Sequence, residues 1–514
     1  MRFVIPMLKD GIEHKMYFDH IPYTISDWIG VEEVKTWKRG DVVMICAGTG
    51  TGKSFFILST LRGYFKEDGL RVLYLTPRVR INEQFRHELG DDSTIKVMSY
   101  QAVESILNDP NRSIGEWDVI IGDEAHYFTS DSDFNRKTDI SFDWTMEQKK
   151  AIKIFLSATH EGLSQFLTDQ DIKFTQYIVP ISGMLVDSLD FFHNTDYIAD
   201  IAEHVISSGS KAVFFIWSAQ TAYDLHLKFK DKSLFLCSKY NKTFAKFMDA
   251  AAIERMIEEK RFDCQLLFAT SALDSGVSLS DPTLNDMIID IFDPITVKQC
   301  IGRKRPVGGD DAVRLHIRAY NNKQVGGKLR KITQQAEDAH DFIKNGAAAY
   351  SIAHDRGNDA AGIVHDVSTG DSKDGEEMFV KRMNEPKYNH IKQSIEMCKK
   401  ILEHKDGYAG YVADYLGIDD YAILDEEQRK QSLAAYLDSI SGKPMLDRKA
   451  REPFIERLDI RQNRRLCKDF DVISTWIEKS GLPYRLIKYR ISRIIDGKKK
   501  FFRPWEVVKP TGIE

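Results

Sequence analysis

Residues 42–54 read VVMICAGTGTGKS, an apolar run that leads directly into a glycine- and threonine-rich loop. The run Val42–Cys46 has the character of a strand buried on both faces, and Phe55–Leu61 after the loop has a helical composition. A strand, a glycine-rich loop and a helix in this order are the context that a phosphate-binding loop requires. Its glycines let backbone N–H groups face phosphate oxygens, and the helix N-terminus adds a favourable dipole. The sequence therefore predicts a nucleoside triphosphate site.

Each residue of this loop is predicted to contact ATP. The predicted cofactor-binding residues are Ala47, Gly48, Thr49, Gly50, Thr51, Gly52, Lys53 and Ser54. Lys53 can place a cation on the β- and γ-phosphates, and the Ser54 hydroxyl can ligate Mg²⁺. The alternative is a glycine-rich turn of a sugar or flavin enzyme, which the flanking strand and helix disfavour.

A second apolar run ends in carboxylates, about 70 residues after the loop. Trp117–Gly122 is followed by Asp123, Glu124, Ala125 and His126. A carboxylate at such a strand end can lie beside the phosphate loop, so Asp123 can hold Mg²⁺. Glu124 is then placed to orient and deprotonate the attacking water. Pairs of acidic residues are common on surfaces, and it is the preceding strand that makes this pattern informative.

The Asp-Glu-Ala-His sequence after a phosphate loop resembles the superfamily 2 helicases, which include the DEAD-box and DEAH-type proteins. Further motifs of that group occur in the expected order between roughly residues 30 and 320. These motifs are Leu75–Arg78 with Gln84, Val97–Gln101, Leu156–Thr159, Phe268–Thr270 ending in Gly276-Val277, and Gln299–Arg305. The resemblance implies a Mg²⁺-ATP site between two RecA-like lobes.

The resemblance also implies roles for individual side chains. Arg78 and Thr270 would hold the nucleic-acid backbone from opposite lobes. The residues that would couple the state of ATP to strand binding are His126, Ser157, Thr159 and Gly276. Gln299, Arg303 and Arg305 would complete the catalytic site with Lys53 and Glu124. The commonest motif has its second arginine where this chain has Pro306, so either arginine can be the finger that reaches the γ-phosphate. Lys304, between them, is expected to be a solvated surface cation.

Strand-like and helix-like segments alternate up to about residue 320, and the pattern restarts after Pro180. The predicted fold is α/β, with two tandem RecA-like, doubly wound parallel-sheet lobes and a mostly helical C-terminal region. The predicted boundaries are an N-terminal segment at 1–29, the first lobe at 30–180, the second lobe at 181–325, a helical accessory region at 326–445 with a linker near 357–377, and a basic helical tail at 446–514.

Charge is distributed unevenly along the chain. Its net charge is −5, but residues 448–514 contain 18 Lys/Arg and 9 Asp/Glu, a net charge of +9. Within this tail, Ile473–Lys479 and Tyr484–Ile495 are predicted to form a helix-turn-helix around Gly481 and Pro483. Arg490 and Arg493 are its predicted nucleic-acid contacts. A small helical domain with a solvated basic surface is the alternative.

Composition restricts the cellular setting. No run approaches the roughly 20 apolar residues that span a bilayer, so no membrane association is expected. The six cysteines are scattered, and the N-terminus does not have the pattern of a secretory signal, so a reducing cytoplasm is expected. Taken with the motifs, the sequence predicts an ATP-dependent helicase acting on single-stranded or tailed duplex DNA, with RNA left open. A duplex DNA translocase that separates no strands and a switch ATPase that ignores nucleic acid are the alternatives.

Overall fold

In the computed structural model, the chain divides into two compact units, Met1–Tyr421 and Ala422–Glu514. The structure describes residues 3–18, 24–48, 51–77, 85–86, 88–90, 92–109, 111–129, 135–179, 186–239, 241–270, 277–308, 311–354, 362–371, 377–458, 460–462, 465–495 and 498–509. None of the helices within these ranges has both the length and the apolar character that crossing a bilayer requires.

The first lobe is built on one sheet. Its strands are β1 Phe3–Lys9, β2 Ile12–Phe18, β3 Val42–Cys46, β4 Val72–Thr76, β5 Ile95–Ser99, β6 Val119–Asp123, β7 Ile152–Ser157 and β8 Thr175–Ile178. They lie in the order β2-β1-β8-β3-β7-β6-β4-β5. The strands from β8 to β5 are parallel, and the hairpin β1–β2 joins the edge strand β8 in antiparallel fashion. Every residue of β3, β4, β6 and β7 is buried, as their continuous apolar composition predicted.

Helices cover both faces of this sheet. They are α1 Ile25–Trp28, α2 Val31–Val34, α3 Lys53–Phe55, a π-helical segment Phe56–Leu61, α4 Arg62–Glu67, α5 Tyr100–Leu107, a 3-10 turn Ala125–Phe128, α6 Thr138–Glu147 and α7 Glu161–Asp169. Alternate residues of β3 show the two layers. Val43 packs in one apolar core with Phe56 and Phe65, while Met44 packs in a second core with Phe128 and Phe142. Burial of both faces fixes β3 at the centre of the lobe, with the phosphate loop at its carboxyl end.

The second lobe repeats this design with a parallel sheet. Its strands are β9 Val186–Phe192, β10 Lys211–Ile216, β11 Ser233–Leu236, β12 Leu266–Ala269, β13 Leu284–Asp290 and β14 Val313–Arg318, in the order β11-β12-β10-β13-β14-β9. Its helices are α8 Tyr197–Ser208, α9 Ala219–Lys228, α10 Ala250–Glu259 and α11 Pro294–Ile301, with 3-10 turns at Lys230–Lys232 and Ala245–Phe247. The predicted fold of two doubly wound parallel-sheet lobes is confirmed.

An accessory region follows the second lobe within the same unit. It consists of α12 Asn322–Ala353, β15 Val364–Asp371, β16 Glu377–Met383, α13 Glu385–Glu403 and α14 Gly407–Leu416. The linker expected near 357–377 is wrong for residues 364–371, which form a strand paired with β16. Its polar residues have partners here: Asp366 pairs with Lys381 at 3.0 Å, and His365 contacts Asp139 at 3.1 Å. Polar composition therefore indicated solvation where the fold supplies polar partners.

The accessory region contacts both lobes. On α13, Asn389 Nδ2 donates to Asp169 Oδ2 at 2.8 Å, and Gln393 Nε2 donates to the Gly162 carbonyl oxygen at 3.0 Å, both in the first lobe. On α14, the Tyr408 hydroxyl donates to the carbonyl oxygen of Phe292 at 2.7 Å, in the second lobe. Two consecutive helices thus hold the two halves of the unit.

The second unit combines helices with short strands. It contains β17 Ala422–Ile423, α15 Leu424–Ile440, α16 Arg448–Leu458, β18 Arg461–Gln462, β19 Arg465–Leu466, α17 Phe470–Lys479, β20 Arg485–Lys488, β21 Ile491–Ile495, β22 Lys498–Phe502 and β23 Trp505–Val508. Taken with the accessory region, the C-terminal part of the chain is mostly helical, as predicted. Its apolar core lies between the three helices and the strands β20 and β23.

The predicted helix-turn-helix is wrong in its second half. The first helix is present as α17, but the segment after Gly481 and Pro483 forms β20 and β21. β-branched and aromatic residues favour strands, and they dominate this segment. The buried Leu486 between exposed Arg485 and Ile487 also has the alternation of a half-buried strand. The basic residues that suggested a recognition helix therefore lie on a β-hairpin.

Candidate active site

The phosphate loop leaves the carboxyl end of β3 and enters α3. Gly52 has φ +76° and ψ +35°, the left-handed region that favours glycine, and it directly precedes the helix. The Thr51 hydroxyl donates to the Gly48 carbonyl oxygen at 2.7 Å, which closes the loop on itself. The Ala47 N–H donates to the Ser157 carbonyl oxygen at 3.0 Å and ties the loop to β7. Thr49 and Gly50, also predicted to contact ATP, lie outside the described residues.

Lys53 and Glu124 form an ion pair at the mouth of this loop. Lys53 Nζ lies 3.1 Å from Glu124 Oε1, and the two side chains are only 10% and 14% exposed. Glu124 has φ +47° and ψ +50°, a conformation that is uncommon for any residue other than glycine. This turn ends β6 and begins the 3-10 turn at Ala125. Backbone strain of this kind accumulates at functional sites, so the conformation of Glu124 is consistent with a catalytic role.

The Asp123 carboxylate is buried and held from two sides. The Tyr74 hydroxyl donates to its Oδ2 at 2.6 Å, and the Glu124 N–H donates to its Oδ1 at 2.9 Å. Burial raises the pKa of Asp123, the Glu124 carboxylate adds to this rise, and Lys53 opposes it. The Tyr100 hydroxyl donates to the Asp123 carbonyl oxygen at 3.0 Å and fixes the backbone. The carboxylate is therefore oriented before any cation binds.

The donors at this strand end suit Mg²⁺. Mg²⁺ prefers oxygen ligands and keeps several waters, so that one or two protein ligands and phosphates suffice. Asp123 supplies a buried carboxylate, and Ser54 lies exposed at the start of α3. Within the described residues, no group of three or more His, Cys, Asp and Glu side chains is arranged to hold a metal. A cation at Asp123 would accordingly depend on Ser54, water and the phosphates for its other ligands.

Polar contacts lead from Glu124 to the end of β7. His126 Nδ1 lies 3.4 Å from Glu124 Oε2 and 3.3 Å from the Ser157 hydroxyl. The Ser157 hydroxyl in turn donates to the Thr159 carbonyl oxygen at 2.9 Å. Three of the four residues predicted to couple ATP to strand binding are therefore joined in one network. The fourth, Gly276, lies outside the described residues.

One hydrogen bond carries this network into the second lobe. Gln299 Nε2, on α11, donates to the Thr159 hydroxyl at 2.9 Å, and both residues are buried. Beside it, Lys298 Nζ lies 3.9 Å from Glu161 Oε1. Gln299, predicted to contribute to the catalytic site from the second lobe, thus contacts the first lobe through Thr159.

Both candidate finger arginines lie just after α11. Arg303 is buried, and Arg305 Nε donates to the Ser278 hydroxyl at 3.3 Å. The pKa of Arg305 is lowered to about 10, chiefly by burial and also by the neighbouring charge of Arg303, while Glu124 acts in the opposite direction.

The structure contradicts the expectation that Lys304 is a solvated cation. Its side chain is buried, and Nζ lies 2.6 Å from Asp311 Oδ1. Nζ also donates to the carbonyl oxygen of Asp281 at 2.5 Å. Its neighbours in sequence could not reveal this role, because Asp281 lies on a distant segment. Lys304 supports the turn that presents the two arginines.

Of the predicted nucleic-acid contacts, Thr270 is buried directly after β12, and Arg78 lies outside the described residues. Arg490 and Arg493 belong to the second unit, where both are exposed. Sequence reasoning missed Trp217, which follows β10 and is 65% exposed. Trp217 and Thr270 follow adjacent parallel strands at their carboxyl ends, the edge where ligands bind open α/β sheets.

Comparison with known proteins agrees with this geometry. Residues 40–176 match the family model described as "Schlafen group 3, DNA/RNA helicase domain". The match is confined to these residues, so it is a likeness of the first lobe to that domain. The matched range contains the phosphate loop, the acidic strand end and the Ser157–Thr159 segment.

Other likenesses of the chain are more distant. None of the curated proteins matches its sequence. Among solved structures, S. cerevisiae Dbp5 bound to RNA and ADP BeF3 is 14% identical, with a TM-score of 0.42 over 55% of this chain and 80% of that chain. A single-residue variant of Dbp5 in the same complex is 13% identical, with a TM-score of 0.42 over 57% of this chain and 83% of that chain.

Proposed function

We propose that this chain is an ATP-dependent nucleic-acid motor, which couples ATP hydrolysis to translocation along DNA and to separation of its strands. The observation that carries the proposal is the meeting of two lobes at one site. Lys53 and Glu124 of the first lobe are linked through His126 and Ser157 to Thr159, which accepts a hydrogen bond from Gln299 of the second. A site divided in this way can convert hydrolysis into relative motion of the lobes.

The side chains of the cleft have distinct tasks in hydrolysis. Lys53 would exchange Glu124 for the β- and γ-phosphates, and this exchange frees the Glu124 carboxylate to accept a proton from the attacking water. Mg²⁺, held through Asp123 and Ser54, would supply charge neutralisation at the phosphates. Arg303 or Arg305 would supply the arginine finger, because both follow α11 of the second lobe.

The carboxyl ends of the two sheets form the proposed track for a nucleic-acid strand. Arg78 and Thr270 would hold the backbone from opposite lobes, as the helicase resemblance implies. The exposed ring of Trp217 is suited to stacking on a base or sugar. In the second unit, Arg490 and Arg493 would add contacts to phosphates. DNA is the proposed substrate and the cytoplasm the proposed location, with RNA as the competing track.

ATP hydrolysis by the full chain tests the proposal. The rate is measured alone and with single-stranded DNA, duplex DNA and RNA, alongside a Glu124→Gln variant. Strong stimulation by one polymer, lost in the variant, supports the motor and identifies its track. Hydrolysis that ignores all three polymers would instead support a switch ATPase. Strand displacement on a tailed duplex, compared with displacement of a triplex strand, then separates a helicase from a translocase that leaves the duplex intact.

A further inference from the structure

The second unit carries a pair of antiparallel segments, named here the basic β-arm and formed by residues 485–495 and 498–508. At its base, β20 pairs with β23, and toward its tip β21 pairs with β22, both antiparallel. The two pairs follow one another along the same two chain segments and keep the same register, with residues 489–490 and 503–504 between them, so they form a two-stranded ribbon with one interruption. Nothing in the motor cleft requires such a ribbon.

The base of the basic β-arm is anchored in the apolar core of its unit. Leu486, Trp505 and Val507 are buried there. Met445 exchanges two backbone hydrogen bonds with Trp505, of 2.8 and 3.1 Å. The guanidinium of Arg451 stacks on the Trp505 ring at 4.5 Å. A ribbon fixed at its base presents its tip in a defined orientation, which lowers the entropy cost of binding.

The tip exposes two large apolar side chains on the same face. Ile494 is 78% exposed and Phe501 is 58% exposed. The register places Ser492 opposite Phe501 and Ile494 opposite Lys499, so Ile494 and Phe501 are diagonal neighbours. An exposed apolar pair is unfavourable in water, and burying it against a partner would remove that cost.

Cations surround this apolar pair. Residues 485–503 contain eight Lys/Arg and one Asp. The guanidinium of Arg490 lies over the Phe501 ring at 4.4 Å, and Lys499 Nζ lies 5.7 Å from the same ring. A partner that fits this surface carries negative charges to meet the cations and, between those charges, an apolar region that the side chains of Ile494 and Phe501 can enter. A duplex nucleic acid has this chemistry, with phosphates at the rim of each groove and stacked bases inside it.

We infer that the basic β-arm binds duplex DNA in a groove, with its cations on the phosphates and Ile494 and Phe501 pressed among the base pairs. The major groove of B-form DNA admits a two-stranded ribbon, whereas the major groove of A-form RNA is too narrow for side chains to read. Apolar side chains inserted between base steps partly unstack them. The inference deepens the proposed function, and rests on it, because it gives the motor a dedicated contact to duplex DNA.

The test uses the full chain without nucleotide and a 20-bp blunt DNA duplex that contains a central 2-aminopurine. Binding is followed by fluorescence anisotropy, and unstacking is followed by the rise in 2-aminopurine emission. Ile494→Ser combined with Phe501→Ser is expected to raise Kd by roughly 5- to 100-fold and to abolish the emission rise. The matched control combines Ile352→Ser with Leu227→Ser, which are 89% and 48% exposed elsewhere on the chain. The control is expected to bind and unstack like the parent.

A charge variant tests the phosphate contacts separately. Arg493→Gln is expected to lower the slope of log K against log salt concentration by about 0.9, the value for one lost phosphate contact. Wild-type affinity and wild-type unstacking in the apolar double variant would overturn the inference. If the apolar double variant lost as much affinity for an A-form RNA duplex as for the DNA duplex, the restriction of the basic β-arm to DNA would be overturned. Loss of binding to anionic vesicles, with duplex binding intact, would assign the arm to a lipid surface instead.

The same proteins separate this inference from the proposed function. ATP hydrolysis without nucleic acid is expected to be unchanged in the apolar double variant, since neither side chain belongs to the catalytic cleft. If the parent binds and unstacks the duplex while its ATPase ignores every polymer, the motor proposal fails and the basic β-arm remains a duplex-binding element. If polymers stimulate the ATPase but the apolar double variant binds duplex normally, the motor stands and the arm assignment fails.

Discussion

The hydrogen bond from Gln299 to Thr159 is expected to limit how well the two lobes cooperate. Gln299→Ala removes the amide that donates this hydrogen bond, so the buried Thr159 hydroxyl loses its partner from the second lobe. Leaving a buried polar group unsatisfied costs about 1–3 kcal/mol. Because the contact joins the lobes, the cost falls on the closed state in which both contribute to catalysis. A decrease of roughly 5- to 150-fold in polymer-stimulated kcat is the expected result.

A double-mutant cycle isolates this contact. Thr159→Val keeps the side-chain volume and removes the hydroxyl that accepts the hydrogen bond. Stimulated kcat is measured for the parent, each single variant and the double variant. The two losses are expected to overlap by about 0.5–1.5 kcal/mol, because each single change removes the same bond. The loss in the double variant should therefore be roughly 2- to 13-fold smaller than the product of the two single losses.

Gln265→Ala is the matched control. It also removes a glutamine of the second lobe, whose Nε2 donates to the carbonyl oxygens of Ile206 and Ser210 at 3.3 and 3.4 Å, away from the cleft. Its stimulated kcat should equal that of the parent. Strictly multiplicative losses in the cycle, or an unaltered kcat in Gln299→Ala, would refute the reasoning that this bond couples the lobes.

Three further changes probe separate parts of the molecule. Lys53→Ala should lower the rate of ATP hydrolysis at least about 100-fold, since a buried cation on the phosphates is lost; full activity would contradict the assignment. Burial raises the pKa of Asp286, but hydrogen bonds from His316 and Arg314 outweigh it and leave the pKa lowered. A carboxyl group with a lowered pKa stabilises the fold above about pH 4, and this stabilisation is lost as the pH falls below that value. In urea unfolding at pH 7, Asp286→Asn should therefore be less stable than the parent, and the difference in unfolding free energy should shrink at acid pH. Lys304→Met leaves the buried Asp311 carboxylate without its cation and should lower the free energy of unfolding by about 3–5 kcal/mol in the same assay. An unchanged urea midpoint would show that the Lys304–Asp311 ion pair is dispensable for stability.

Local patterns predicted the architecture of the two lobes because parallel strands buried on both faces are apolar throughout. Val119–Asp123 shows both the strength and the limit of such patterns. The run predicted a strand with carboxylates at its end, and both are present. That Tyr74 and Tyr100 hold Asp123 could not be predicted, because their hydroxyls reach it from β4 and from the start of α5. Contacts between distant segments leave no periodic trace in a sequence.

The C-terminal hairpin was mistaken for a helix for a related reason. Tyr484–Ile495 is rich in cations and apolar residues whose spacing suits either a helix or a strand over so short a length. Pairing with residues 498–508 determines the outcome, and the periodicity of residues 484–495 carries no information about that partner. The buried state of Lys304 was hidden in the same way, because its partners lie outside the arginine motif. The strand predictions were reliable where the pattern of a single segment was enough to identify its structure.

The accessory helices set a mechanical limit on the motor. Asn389 on α13 is bonded to the first lobe, and Tyr408 on α14 is bonded to the second. Only residues 404–406 separate these helices. Any rotation of one lobe against the other must bend this three-residue joint or break one of the anchoring bonds. The angle between α13 and α14 should therefore follow the relative movement of the two lobes. Energy transfer between two dyes, one on each helix, would report that movement during ATP hydrolysis without a label in the cleft.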